Sequence, residues 1–410
     1  MSPADARRPP PAVEASGAIR WEVFCQVVDN YGDLGVCRRL AQHLAALGHS
    51  VRLWVDDPAL MARMAPEIPH GPGANDGGPG LTWLAWSEAV PTGAPGLLEP
   101  GDVVVEAFGC NPPPPFVERM AARRPAPPVW INLEYLSAED YVRRSHGLPS
   151  PQHTGPGRGL TKWFFYPGFT EGTGGLLFED GLAAQRAAFD RQGWLKGWGV
   201  DAQVERVISI FAYPTAPLER WLSSLTAAPT PTALMMTEGP LQARAQQWVQ
   251  QNPQAAAGLR IVALPWLSSE DFDRLLWAAD LNFVRGEDSL TRALWAGMPF
   301  IWQAYPQQDG VHADKLQAFW NWLWQWSPGP AADRARRGLE PWWLFWNGLA
   351  PRPGPAFTWE GYPPSGEPGR QHGTPQEWSQ AVQRAARAAR ARPPLAQALS
   401  AFVAQQRGAG

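Results

Sequence analysis

Cysteine is scarce: Cys25, Cys37 and Cys110 are the only three in 410 residues, and none stands at a paired metal-type spacing. A disulfide scaffold is thereby excluded, and free packing thiols in a reducing cytosol are expected. Charge is also thin. Charged residues make up 18% of the chain, against roughly 25% in typical globular proteins. The signs nearly cancel, with Lys+Arg 35, Asp+Glu 38 and a net charge of −3. No basic field points to nucleic acid as a partner. Long apolar runs are missing as well: the Trp-rich runs 319–326 and 342–349 are too short and interrupted to span a bilayer. Residues 1–18, a Pro- and Ala-rich extension expected to be disordered, hold Arg7 and Arg8 but no apolar core of an export signal. A cytoplasmic protein without a membrane partner is the expectation. Neither G-x-x-x-x-G-K-[ST] nor G-x-G-x-x-G occurs at the first turn, so that turn is no ordinary phosphate cradle. No His/Cys/carboxylate cluster has metal-ligand spacing, and no metal or other cofactor is expected.

What is abundant is Gly (40), Pro (44) and Trp (23), set within a regular alternation of strand and helix signals. The stretch 27–36, V-V-D-N-Y-G-D-L-G-V, joins the apolar run 21–28 to a helix marked by Val36, Leu40, Leu44 and Leu47. It reads as a strand-to-helix turn, with Gly32 and Gly35 supplying backbone freedom. Asp29 and Asp33 stand four apart in it. Alone, each Asp suits a turn or a helix cap; together, at the carboxyl end of a strand, they resemble a site for a cationic or polar partner. Strands over 50–55, 81–86, 102–108 and 129–133 follow, several ending in polar residues (Asp56, Gly109-Cys110-Asn111, Asn132, Glu134). Residues 147–160 read as a loop, and 161–177 as either a cleft wall or an irregular packed loop.

A second alternation starts near Val204, with strands over 207–211, 233–236, 260–264, 281–284 and 299–302. The expected class is α/β: two doubly wound, Rossmann-like halves facing a cleft, 19–190 and 200–375. Within the second, 327–373 reads as an insertion with little regular structure, and 376–410 as a helical C-terminal brace. The second site candidate is V-R-G-E-D, residues 284–288. Gly286 permits close backbone approach, and Ser289 suits the N-cap of the helix that follows. A helix start there offers N–H groups to phosphate, with Arg285 and Lys315 as added charge. Glu287 and Asp288 can accept from sugar hydroxyls, so the constellation points to a nucleotide-sugar.

With these stretches in view the chain resembles the EarP family, protein-arginine rhamnosyltransferases that modify bacterial translation elongation factor P. The likeness rests on V-V-D-N-Y-G-D-L-G-V-C-x-R-L-A, L-W-V-D-D, Y-P-G-F-T-E-x-T-G-G-L, D-R-L-L-W-A-x-D-L-N-F-V-R-G-E-D-S and A-G-x-P-F-I-W-x-x-Y-P-Q-x-D-G-x-H, across residues 20–320. It implies a GT-B architecture and metal-free transfer of L-rhamnose from dTDP-β-L-rhamnose to one arginine of elongation factor P, with inversion. By that similarity Asp33 is the catalytic carboxylate facing the guanidinium, with Asp29 and Glu287 as further essential acids. Tyr213 lies by the diphosphate, Phe211 and Phe272 sandwich the thymine, and Arg285, Glu287, Asp288 and Ser289 engage nucleotide and sugar. Two positions depart from the pattern. Ser269 stands where a base-contacting Gln is expected, and Trp266 where a smaller apolar residue is usual. The competing readings are a GT-B enzyme acting on a small molecule or glycan, and a nucleotide-sugar binding protein without catalysis.

Overall fold

The computed structural model describes residues 19–29, 31–71, 79–89, 99–201, 206–225, 231–306, 310–350 and 375–408. In chain order the first half comprises β1 (Arg20–Cys25), α1 (Gly32–Ala46), β2 (Ser50–Val55), α2 (Pro58–Met64), β3 (Gly80–Ala85), β4 (Val103–Ala107), α3 (Pro114–Ala122), β5 (Val129–Leu133), α4 (Asp140–Ser145), β6 (Pro149–Pro151), β7 (Thr161–Phe165), α5 (Leu182–Ala187) and α6 (Arg191–Gly197). The second half runs β8 (Arg206–Ile210), α7 (Leu218–Leu225), β9 (Thr232–Met236), α8 (Pro240–Gln251), β10 (Leu259–Ala263), α9 (Ser269–Ala278), β11 (Leu281–Arg285), α10 (Gly286–Ala296), β12 (Phe300–Gln303), α11 (His312–Trp324), α12 (Pro330–Trp346), α13 (Pro375–Arg390) and α14 (Leu395–Gly408).

Two sheets result, ordered β3-β2-β1-β4-β5-β7-β6 and β10-β9-β8-β11-β12, and every pairing except β6–β7 is parallel. Strands such as V-V-V-E-A and L-N-F-V-R are buried along their whole length, as expected where helices cover both faces. The few charges inside the first sheet are paired. Arg52 donates twice to Glu22, at 2.8 and 2.6 Å, and Lys162 donates to Glu106 at 2.6 Å. In each sheet the strand order reverses beside the first strand, between β1 and β4 and between β8 and β11. A ligand crevice is expected at the carboxyl ends of those four strands. The two Rossmann-like domains turn those edges toward a shared cleft, which is the GT-B arrangement.

Three expectations about the fold need correction. The segment 327–373 is not short of regular structure in its described part, because 330–346 forms α12. Pro330 sits in its first turn, where a missing N–H costs nothing, and Leu339, Trp342, Trp343, Phe345 and Trp346 are buried. That aromatic burial offsets the lost bond at Pro341, inside the helix. Residues 351–373, like the extension 1–18, lie outside the described residues. The stretch 161–177 opens with β7, whose main chain extends the first sheet beside β5. Its side chains line neither of the two cavities described below. The loop 147–160 contains the short antiparallel β6.

The C-terminal pair of helices ties the halves together. α13 packs on α10, α11 and α12, while α14 returns to α1 and β5 of the first sheet.

Candidate active site

The turn after β1 closes on itself: Gly32 N–H donates to the Asp29 carbonyl at 2.8 Å. Asp33, in the first turn of α1, does not cap that helix. Its Oδ2 accepts from the N–H groups of Val28 and Asp29, at 2.9 and 2.8 Å, so the carboxylate pins the preceding loop. Asp33 is 3% exposed. Burial raises its pKa above the usual Asp range, against the pull of those two backbone bonds.

Asp29 points to the other domain. The Tyr213 hydroxyl donates to its Oδ2, and the Arg285 guanidinium stands 3.9 Å from its Oδ1. Its pKa is also raised, chiefly by burial. Tyr213 and Arg285 act in the opposite direction, while Asp33 and Glu287 add to the rise. Burial and the Asp29 charge push the Tyr213 phenol up, so it remains a donor.

The turn after β11 is tighter than its sequence indicates. Helix α10 begins at Gly286 rather than near Ser289, so Ser289 is not its N-cap. The Ser289 hydroxyl instead accepts from the Arg285 N–H at 3.1 Å and donates to the Arg285 carbonyl. Gly286 has φ +63°. A Cβ there would come within 3.0 Å of Asp29 Oδ2 and 3.1 Å of the Tyr213 oxygen. Gly32 and Gly35 serve space rather than backbone freedom, since neither has positive φ. A Cβ on Gly32 would meet Asp29 Oδ2 at 2.9 Å, and one on Gly35 would meet Asp288 Oδ2 at 3.0 Å.

Around these turns lie two cavities that share Asp29 and Gly32. The first, about 810 Å³, is bounded by Tyr31 and Arg39 on one side and by Phe211, Trp266, Ser269, Phe272, Arg285, Asp288 and Ser289 on the other. Phe211 and Phe272 meet edge to face, with centroids 5.4 Å apart and planes at 72°, rather than as parallel walls. Arg285 lies over both Phe211 and Tyr213, 4.7 and 4.5 Å from their centroids. Ser269 accepts from Arg38 across the cleft. Trp266 packs against Tyr31 at 4.6 Å and beneath the Arg63 guanidinium at 4.5 Å, joining the two domains at the cavity rim.

The second cavity, about 780 Å³, is lined by Asp29, Asp33, Phe108, Tyr135, Glu287, Trp302, Tyr305, His312 and Lys315 among others. Glu287 accepts from Leu136 N–H at 2.8 Å and from Lys315. Its burial raises the carboxyl pKa, against the Lys315 charge. Lys315 is therefore engaged by Glu287. Among the described residues no group of three or more His, Cys, Asp or Glu side chains is placed to hold a metal ion. Nor is any helix among them long and apolar enough to cross a membrane.

Sequence reasoning missed the partners that hold the cleft together. Arg39 Nε lies 3.1 Å from Asp288 Oδ1, and its Nη1 donates to Glu179 at 3.0 Å. Glu179 also accepts from Arg292, which donates to Asp273 at 2.7 Å. Burial opposes charge on Glu179, yet His43, Arg292 and Arg39 together hold it well below the usual carboxylate range. The visible signal was two adjacent arginines, Arg38-Arg39, interrupting an otherwise apolar helix face. Phe108 and Tyr135 carried no such signal.

Comparison with known proteins agrees with this geometry. The profile of the family described as Elongation-Factor P (EF-P) rhamnosyltransferase EarP matches residues 21–404. A protein-arginine rhamnosyltransferase of Pseudomonas putida is 44% identical over 343 residues, covering 80% of this chain and 86% of that protein. Its namesake from Pseudomonas aeruginosa is 40% identical over 401 residues, covering 94% and 98%. The solved structure described as the basis for EarP-mediated arginine glycosylation of translation elongation factor EF-P superposes with a TM-score of 0.60. It is 30% identical, over 94% of this chain and 99% of that one. The chain belongs to the EF-P rhamnosyltransferase EarP family.

Proposed function

We propose that this protein is an inverting protein-arginine rhamnosyltransferase that moves L-rhamnose from dTDP-β-L-rhamnose to one arginine of elongation factor P in the cytoplasm, without a metal. The observation that carries the reading is the contact of Asp29 with Tyr213 and Arg285 of the other domain, at the junction of the two cavities, with Asp33 and Glu287 lining the second. The three buried thiols fit a reducing compartment.

An arginine guanidinium has a pKa above about 12 and its lone pairs are delocalised. A carboxylate of ordinary pKa, about 3.9, is some 8 units too weak to deprotonate it in advance. Asp33 instead orients the guanidinium and localises a lone pair on the attacking nitrogen. As the new C–N bond forms at the anomeric carbon, the C–O bond to the diphosphate breaks and the nitrogen becomes acidic. Its proton then passes to Asp33. Burial makes Asp33 a stronger base than an exposed aspartate, which favours that late transfer. The departing diphosphate gains its negative charge near Arg285, Tyr213 and the start of α10, a fixed positive environment for a leaving group. Asp29, already bound to Tyr213, acts in our reading by holding that phenol and Arg285 in place. Glu287, bound to Leu136 and Lys315, fixes the β5 end against α10.

The test is the intact mass of elongation factor P co-expressed with this chain in cells that make dTDP-rhamnose. One added deoxyhexose, lost when the acceptor arginine becomes lysine, is expected. An unmodified acceptor, or a sugar on the lysine variant, would reject the reading.

A further inference from the structure

Beside Asp33 the end of β4 holds an unusual residue. Phe108 has φ +58°, a left-handed conformation that a bulky side chain rarely adopts. Such strain persists only where the surroundings over-determine it. Here Phe108 N–H is bound to the Leu133 carbonyl at 2.7 Å, and Gly109 N–H to Asn132 Oδ1 at 3.1 Å. The result is that the Phe108 ring lies against Tyr135, with centroids 4.3 Å apart and planes only 12° from parallel. Phe108 is half-buried and backs the pair, while Tyr135 remains 39% exposed.

The pair faces acid. Both rings line the cavity that contains Asp33, Asp29 and Glu287. The cavity's lysine, Lys315, is held by Glu287 and lies over the Tyr135 ring, 5.7 Å from its centroid and within cation–π range, so this face already accommodates a cation. An aromatic face beside carboxylates is the environment that a planar cation prefers: the ring quadrupole attracts its face while the acids take its N–H edge. Resting on the activity proposed above, we infer that the Tyr135 ring, backed by Phe108, is the platform on which the acceptor guanidinium lies, edge-on to Asp33. The two rings are thus positioning and specificity residues. They favour a flat guanidinium over the compact ammonium of lysine, and they hold its plane while the attacking nitrogen meets the anomeric carbon. Their place in the first domain, at the ends of β4 and β5, is away from the Phe211–Phe272 cavity.

The experiment is steady-state transfer from dTDP-rhamnose to elongation factor P by wild type, Tyr135→Phe, Tyr135→Leu and Phe108→Leu, with melting temperature recorded for each. Tyr135→Leu should raise the acceptor KM by about 5- to 30-fold, the range of a desolvated cation–π contact. Donor KM should stay within about twofold of wild type, because the contact is not with the nucleotide-sugar. Tyr135→Phe keeps the face and should raise the acceptor KM far less than Tyr135→Leu does. Fluorinated phenylalanine placed at position 135 keeps the shape but drains the ring, and should raise acceptor KM with each added fluorine. An unchanged acceptor KM in Tyr135→Leu overturns the platform. So does a rise in donor KM instead, which would give the ring to the sugar, or equal damage in Tyr135→Phe, which would give the role to the hydroxyl. Wild-type protein that modifies no arginine would overturn the parent reading and this one together, a result seen before any variant is made.

Discussion

The turn after β1 and the turn after β11 are built alike and used differently. Each leaves a central strand beside the point where its sheet's order reverses, passes a glycine and enters a helix whose first turn carries acid. In the first, the acids are desolvated inside the cleft and their pKa values rise. In the second, an arginine precedes the glycine, and Asp288 is matched by Arg39 from the opposite domain. The same local scaffold therefore gives a pair of desolvated carboxylates on one side of the cleft, and on the other an arginine beside one matched acid, Asp288, and one buried acid, Glu287, whose pKa is raised against the Lys315 charge. The partner across the cleft makes the difference: Asp29 is bound by Tyr213, and a Cβ on Gly286 would strike that pair.

The sharpest way to break this comparison is to remove charge from the first turn alone. Asp33→Asn should lower transfer by about 10²- to 10⁴-fold, the range of a lost general base. Affinity for dTDP, measured by calorimetry, should stay within a few-fold. Loss of dTDP binding would move Asp33 to the donor side. Next, Phe272→Ala should weaken dTDP by roughly 10- to 100-fold if the ring stacks on the base. A lower melting temperature with unchanged affinity in the folded protein would make Phe272 a core residue only.

Gly286→Ala tests whether the second turn depends on the first. An L side chain at φ +63° costs about 1–2 kcal/mol, and the added methyl also presses on Asp29 and Tyr213. Denaturant unfolding should report that loss, together with a fall in kcat. Stability loss with full activity would show that the Asp29–Tyr213 contact is dispensable. The smallest expected effect is on stability in Asp33→Asn itself. Burial raises the folded-state pKa of Asp33 above its unfolded value. The ionised group therefore opposes folding above the folded pKa; the penalty fades as pH falls between the two values and is gone below the unfolded one. Asn retains an oxygen for the Val28 and Asp29 N–H groups. Asp33→Asn should melt higher than wild type at neutral pH, with the gap closing toward acid. A lower melting temperature at neutral pH would show that the carboxylate stabilises the loop by more than its burial costs.

Most strands were legible to within a residue or two, because β4, β8 and β11 are short apolar runs, and α9 was legible because it repeats its apolar residues at helical spacing. Both glycine turns and their acids were legible for the same reason, each being contained in a few consecutive residues. The helix 330–346 was not, since Pro330, Gly338 and Pro341 argue locally against helix and only burial of its tryptophans outweighs them. The strand at Thr161–Phe165 was hidden likewise, because its aromatics gain order from pairing with β5.

By itself the sequence determined the alternation, the two site-bearing turns and the supply of acids beside them, since periodicity and turn chemistry act over four or five residues. Tertiary structure alone decided what those acids meet. Tyr213 reaches Asp29 across 184 residues of chain, and Lys315 reaches Glu287 across 28. Phe108 stacks on Tyr135 only because β4 and β5 end side by side. Such contacts depend on which strand ends the two sheets bring to one cleft, and desolvation then sets the strength of each carboxylate as a base. Neither quantity is a property of any short stretch of chain.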